Sequence, residues 1–188
     1  MDEIDRSLIN LPLISLPKVV YRDRNREISE VKAIFGEFYK DYLVSYSGRR
    51  SGILVVHEQS VLMVRQFRLL INDVSWEIPG GSIDEGEEPQ EAAIRECLEE
   101  TGVLCDQVDP LLFFHPGMDT TNNPTHIFYS KSFTKLEKPL PNPREILDSS
   151  WLELDQCMDM IGSGLIVDSL TLIALLMYKH FKNAGNTQ

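Results

Sequence analysis

The sequence predicts an α/β protein of the α+β kind, a mixed β-sheet with helices packed on it. Three observations carry that expectation. Apolar runs of strand length recur between Val19 and Leu154. Two longer stretches combine helical periodicity with helix punctuation. Strands and helices do not alternate strictly, which disfavours a doubly wound parallel sheet.

Residues 1–18 carry Pro12 and Pro17 and read as an irregular lead-in. From Val19 to Tyr46 the chain is rich in β-branched and aromatic residues. "VKAIF" and "YLVSY" read as strands, with a turn at Gly36. "GILVVH" and "VLMVRQF" are apolar runs split by the polar "EQS", the pattern of a hairpin. "SWEIPGG" is a short strand ending in a Pro-Gly-Gly break. "LLFFH", "THIFYS" and "SSWLEL" are further strands. The first helix follows Pro89, a favoured first helical residue, and stops before Gly102, a favoured C′ residue. The second starts at Asp168-Ser169 as N-cap and runs through "LTLIALLMYKHFK", with basic residues at its end. A short helix is expected over Cys157–Ile161. Two regions result: a lead-in and β-rich segment over 1–47, and a main domain over 48–188.

Composition narrows the function. The 188 residues allow a real hydrophobic core. A formal net charge of -11 argues against binding a nucleic-acid backbone, which would need clustered Lys and Arg. Three cysteines, Cys97, Cys105 and Cys157, make an odd count without metal-ligand spacing. They read as reduced thiols, which places the protein in the cytoplasm. The N-terminus has neither a basic start nor an apolar run, so no signal peptide is expected. "LIVDSLTLIALLMY" is too short to span a bilayer and contains Asp168, so no membrane partner is expected.

The stretch "GGSIDEGEEPQEAAIRECLEETGV" is the densest run of acid. On a helix, Ala93, Ile94, Cys97, Leu98 and Thr101 form the buried stripe. Glu96, Glu99 and Glu100 share one arc beside it. Like charges at such spacings each cost about 0.2–0.5 kcal/mol, and Arg95 offsets only part of this. A solvated helix face is the ordinary explanation of three glutamates. Here Glu87 and a glycine-rich loop precede them, and several converging oxygens suit a hard divalent cation. The repulsion is then relieved by the ion.

Gly81, Glu87, Arg95, Glu96, Glu99, Glu100 and Gly102 match the fixed positions of the Nudix box, G-x5-E-x7-R-E-U-x-E-E-x-G-U. A chance match is on the order of one in a billion per start site. The one soft departure is Cys97 at the first apolar position, where it packs as a small hydrophobe. The resemblance implies a Nudix-type α/β/α sandwich with a mixed sheet, preceded by an N-terminal β-rich segment. It also implies hydrolysis of a nucleoside diphosphate linked to another moiety. Glu96 and Glu100 match the metal ligands, with Glu99 as further ligand or support, the Gly80 carbonyl joining them, and Arg95 orienting the glutamates. Mg²⁺ is the expected cofactor, with Mn²⁺ as substitute.

"VRQFRLLINDVSWEIPGGSIDEGE" and "PGMDTTNNPTHIFYS" resemble the ADP-ribose pyrophosphatase branch of that family. The resemblance implies ADP-ribose as substrate, with AMP and ribose 5-phosphate as products. Arg68 becomes a candidate phosphate contact and Glu77 a substrate-binding candidate; their plainer roles are a surface arginine and a structural hydrogen bond. Trp76 fits core packing better than base stacking. Asn122 and Asn123 read as turn residues, and His115 and His126 as packed side chains. The loop "KLEKPLPNPREILD" carries three prolines and is expected to be extended. By resemblance Glu145 is its general base, with Glu137 as fallback. The branch also implies a homodimer built on the N-terminal segment. Two alternatives stay open: another nucleotide sugar such as GDP-mannose, and a non-catalytic nucleotide sensor of the same fold.

Overall fold

The structure is a computed structural model that describes residues 11–24, 26–136 and 146–185. Its contacts divide the chain into two compact units. One takes the described residues up to Gly48 together with Gly117–Asn123; the other takes Arg49–Pro116 and the described residues from Pro124 onward.

The first unit is a sheet. Strand β3 (Glu27–Phe35) pairs antiparallel with β4 (Phe38–Tyr46), and Phe35 faces Phe38 across the turn. Gly36 has φ +63° there, a conformation that costs glycine least. β1 (Leu13–Ile14) and β2 (Lys18–Arg22) both pair antiparallel with β3. The lead-in that the prolines mark as irregular thus contributes strand pairing at Leu13, Ile14 and Lys18. On its far side β4 takes a parallel partner from much later in the chain, β10 (Thr121–Asn122). Asn122 is therefore a strand residue, not a turn residue.

The second unit is the α/β/α sandwich. Its sheet runs in the order β12 (Ile146–Glu153), β6 (Ser60–Arg68), β5 (Arg50–His57), β11 (Thr125–Lys135), β9 (Val103–Phe114). β7 (Asp73–Glu77) pairs with β6, and β8 (Gly80–Ser82) with β5. β5 and β11 are parallel while the other pairs are antiparallel, so the sheet is mixed.

The continuous apolar run of β5 follows from burial on both faces. Ile53 and Val55 pack with Ala93 and Cys97 of helix α1 (Pro89–Thr101). Leu54 and Val56 pack with helices α2 (Leu154–Gly162) and α3 (Ser169–Gly185) on the opposite face. Cys97, Cys105 and Cys157 are all buried free thiols, which agrees with Cys97 acting as a small hydrophobe. Asp168 caps α3 as its sequence implies, its carboxylate accepting the Thr171 N–H at 2.9 Å.

The turn Ile78-Pro79-Gly80-Gly81 is held from three directions. The Ile53 N–H donates to the Pro79 carbonyl at 3.0 Å. The Ile78 N–H donates to Thr171 Oγ1 at 3.0 Å, tying the turn to α3. The Gly80 N–H donates to Glu100 Oε2 at 3.0 Å, tying it to α1. A Cβ on Gly80 would stand 2.5 Å from the Ser51 carbonyl oxygen and 2.7 Å from Gly52 Cα. Both are backbone atoms of β5 and cannot swing away. Gly80→Ala is therefore expected to destabilise the fold by about 2 kcal/mol or more, read as a lower urea midpoint. An unchanged midpoint would mean that β5 and β8 are free to separate.

Candidate active site

Helix α1 is specified locally. Pro89 occupies its first turn, the Glu91 carboxylate accepts the Glu88 N–H at 3.3 Å, and Gly102 ends it in the left-handed conformation at φ +71°. Ala92, Ala93, Cys97 and Thr101 are its buried residues. Ala92 lies outside the stripe read from the sequence, one turn before Glu96. This small residue turns the edge of the acidic arc inward, and at the helix start the Ser51 hydroxyl reaches the Pro89 carbonyl at 2.7 Å. The carboxylates of Glu96 and Glu100 are carried toward β5 and β8 as a result.

Glu96 lies against Gly81: a Cβ there would stand 2.5 Å from the Glu96 carboxyl carbon. Arg95 is the hub of the loop–helix junction. Its Nε and Nη2 donate to the two Glu87 oxygens at 2.8 and 3.0 Å. Nη1 donates to Glu96 Oε1 at 2.9 Å, and Nη2 also reaches the Ser82 carbonyl at 3.0 Å. Glu99 lies 3.7 Å from Nη1, and its side chain keeps 45% of its exposure. Of the glutamates that Arg95 is expected to orient, Glu96 is in closer contact than Glu99, and Glu87 is closer still.

Arg95 holds the Glu87 carboxyl below the usual carboxylate range. Burial raises Glu96, against the pull of Arg95, and the charges of Glu99 and Glu87 add to the rise. Burial pushes Glu100 up to about 8; the Gly80 N–H opposes this, Glu96 adds to it, and Arg68 opposes it more weakly. Two proton-greedy carboxylates on adjacent helical turns are the strained face that the sequence implies.

Arg68 and Glu77 form a second cluster on neighbouring strands. Arg68 Nε donates to Glu77 Oε1 at 2.7 Å, and its Nη2 pairs with Glu77 Oε2. Gln66 Nε2 donates to the same Glu77 oxygen at 3.2 Å. Glu77 is only 4% exposed, so Arg68 neutralises a buried charge. Glu77 thus holds Arg68, and only Nη1 of the guanidinium is left outside that pair. Gln66 is the residue that sequence reasoning passed over; its place two before Arg68 on one strand face was the available signal. Trp76 is partly buried against the α2–α3 core, under the Arg65 guanidinium at 5.7 Å. Phe113 packs on both His115 and His126. Glu145 and Glu137 lie outside the described residues.

Among the described residues no three acidic, thiol or imidazole side chains converge as a ready metal cage. The donors present still fit Mg²⁺, which needs only one or two carboxylates and completes its shell with water and phosphate oxygens. Glu96 and Glu100 are such a pair: burial raises both, and the Glu96 charge adds to the rise of Glu100.

Comparison with known proteins agrees with this geometry. A family model described as the NUDIX domain matches residues 47–166, and the chain belongs to the Nudix family of hydrolases. It is 30% identical over 150 residues to a methanol dehydrogenase activator of Bacillus methanolicus, covering 79% of this chain and 81% of that one. It is 26% identical over 166 residues to an ADP-ribose pyrophosphatase of Bacillus subtilis, covering 86% and 87%. A solved ADP compounds hydrolase superposes with a TM-score of 0.81 at 17% identity, covering 94% of this chain and 97% of that one, which shows the shared fold.

The raised Glu100 carboxyl sets a pH signature. Between its ordinary 4.5 and about 8 the folded state holds a proton that the unfolded state has released. Stability therefore falls as pH rises through that window. Melting in EDTA is expected to show a Tm that declines from about pH 5 to about pH 8, and Glu100→Gln is expected to flatten the decline. An equal slope in both proteins would place the buried proton elsewhere.

Removal of Arg68 tests the second cluster. Arg68→Ala leaves Glu77 buried without its cation and is expected to cost about 3–5 kcal/mol. Pairing it with Glu77→Gln is expected to recover part of that loss in the same denaturant assay. No recovery would show that the two side chains act independently.

Proposed function

We propose that this chain hydrolyses the diphosphate linkage of a nucleoside diphosphate derivative, with ADP-ribose as substrate and AMP and ribose 5-phosphate as products. The observation that carries the reading is the half-buried Glu96–Glu100 pair set beneath the Gly80–Gly81 turn. A helix gains nothing from two partly desolvated neighbouring carboxylates unless a cation joins them. The similarity to an ADP-ribose pyrophosphatase over most of both chains supports the substrate.

In this reading Glu96 and Glu100, with the Gly80 carbonyl, hold Mg²⁺, and Glu99 is a further ligand. Bound there, the ion neutralises diphosphate charge and acidifies a water molecule. Arg95 fixes Glu96 and the Glu87 loop through charge-assisted hydrogen bonds. Glu77 aims Arg68, whose remaining nitrogen takes a phosphate oxygen. Glu145 accepts the proton of the attacking water, by resemblance alone. Water attacks one phosphorus in line with the departing phosphate oxygen. The exposed Leu13, Val19, Phe38 and Leu43 supply apolar surface that a second copy would cover, which supports a homodimer.

Release of AMP from ADP-ribose with Mg²⁺, abolished by EDTA, is the expected result. Glu100→Gln is expected to lower kcat about 100-fold or more, a loss of about 3 kcal/mol. Wild-type turnover in that variant would remove Glu100 from the metal site. Glu145→Gln is expected to lower kcat far more than KM; a change in KM alone would make Glu145 a binding residue. Ranking nucleoside diphosphate derivatives by kcat/KM at fixed Mg²⁺ tests the substrate, and a GDP-sugar at the head would replace ADP-ribose.

A further inference from the structure

The face of the sheet that carries α3 holds a cavity unrelated to the carboxylate site. Its volume is about 550 Å³, and Leu111 of β9, Tyr129 and Lys131 of β11, and Tyr178, Phe181 and Lys182 of α3 line it. That size suits a small organic ligand. A smaller cavity of about 280 Å³ shares Tyr129 and Lys131 with it and adds Gln107, Asp109 and Ser132. The shared lining makes the two cavities neighbouring compartments of one groove.

The groove lies away from the Nudix box. Tyr129 packs into the cluster formed with α2 and α3, whereas its neighbour Phe128 packs into the α1 cluster. The sheet therefore stands between this groove and α1. Along β11, Ile127 is the residue paired with Gly52, which in turn pairs with Gly80. Lys131 lies four residues beyond Ile127, roughly 13 Å further along the strand.

Three kinds of group meet in the groove. The rings of Tyr129 and Tyr178 lie 6.2 Å apart and tilted by 47°, with Phe181 half-exposed beside them. Lys131 Nζ lies 5.7 Å from the Tyr178 ring centre, and Lys182 Nζ donates to the neutral Gln59 amide. Among the described residues neither lysine has a carboxylate partner within ion-pairing distance, while the nearby Lys179 is paired to Asp155 at 3.0 Å. In a chain of net charge -11, these two lysines bring cations to one aromatic pocket, with Asp109 sharing a cavity with Lys131 and Glu153 and Asp155 sharing one with Lys182. Asp109, Gln107 and Ser132 offer hydrogen-bonding groups, and the Asp109 carboxylate would repel a bare anion.

We propose that this groove binds a nucleoside monophosphate. The planar base lies among Tyr129, Tyr178 and Phe181. The ribose hydroxyls donate to Asp109, which turns a repulsive carboxylate into a partner. Lys131 and Lys182 take the phosphate. A free inorganic anion lacks the donors for Asp109, and a neutral nucleoside leaves both lysines unused. The inference does not depend on the hydrolytic reading, because none of these residues belongs to the box.

The test is titration of the full-length protein with AMP in EDTA, followed by amide NMR and calorimetry. AMP is expected to shift the amides of Tyr129–Ser132 and of the second half of α3. Adenosine and inorganic phosphate are each expected to bind at least about tenfold more weakly than AMP. Lys131→Glu and Lys182→Glu are each expected to weaken AMP by about tenfold or more, with unfolding midpoints and Mg²⁺-dependent hydrolysis retained. Where a charge reversal lowers the midpoint, Lys131→Gln and Lys182→Gln serve in its place. Absence of shifts at millimolar AMP, shifts confined to Trp76–Ser82 and α1, or unaltered affinity in both lysine variants would overturn the proposal. Loss of hydrolysis with the groove still binding AMP would overturn the enzymatic reading alone.

Discussion

Much of the second unit depends on how closely the Gly80 backbone approaches β5. That approach lets one short turn touch the central sheet, the Nudix helix and the N-terminal turn of α3 together. Bulk at Gly80 would push β8 off β5, and the Glu100 carboxylate would lose the N–H that fixes it. Pro79 prepares the approach by restricting φ and placing its carbonyl to accept from Ile53. The acidic face is thus positioned by backbone contact as much as by its own side chains.

The electrostatics follow from that approach. A solvated arc of glutamates would repel weakly and bind a cation weakly. Here the small Ala92 and the glycines let the helix sit close, so Glu96 and Glu100 lose water, and the Glu96 charge raises Glu100 further. Arg95 does not cancel the pair, because Glu87 and the Ser82 carbonyl take three of its four hydrogen bonds. What remains is negative charge with few protein partners, a state that favours a proton or a metal ion.

The sandwich and the box were legible in the sequence because both rest on local pattern. The strict spacing from Gly81 to Gly102 fixes the loop and helix, and the continuous apolar run of β5 announces a strand. Features that join distant segments were not legible in the same way. β10 has two residues, and its signal is the edge of β4 more than seventy positions earlier, so the asparagines there read as a turn. The bidentate grip of Arg68 on Glu77 depends on the register of β6 against β7, which pairs Arg68 with Asp73 and Val64 with Glu77. Sequence alone offered both residues as substrate contacts; the register shows that they first satisfy each other. The inward turn of the acidic arc was missed because Ala92 carries too little apolar signal to widen the stripe toward Glu96.

The small strand β10 has a topological consequence. Because Gly117–Asn123 belongs with the N-terminal sheet, the backbone passes between the two units three times, after Gly48, after Pro116 and after Asn123. The units are interleaved in sequence, not strung in tandem. Neither can be excised as one uninterrupted stretch, and a chain begun at Arg49 would carry an orphaned strand in place of a finished loop. Such threading makes duplication, exchange or loss of either unit a harder evolutionary step than it would be for beads on a string.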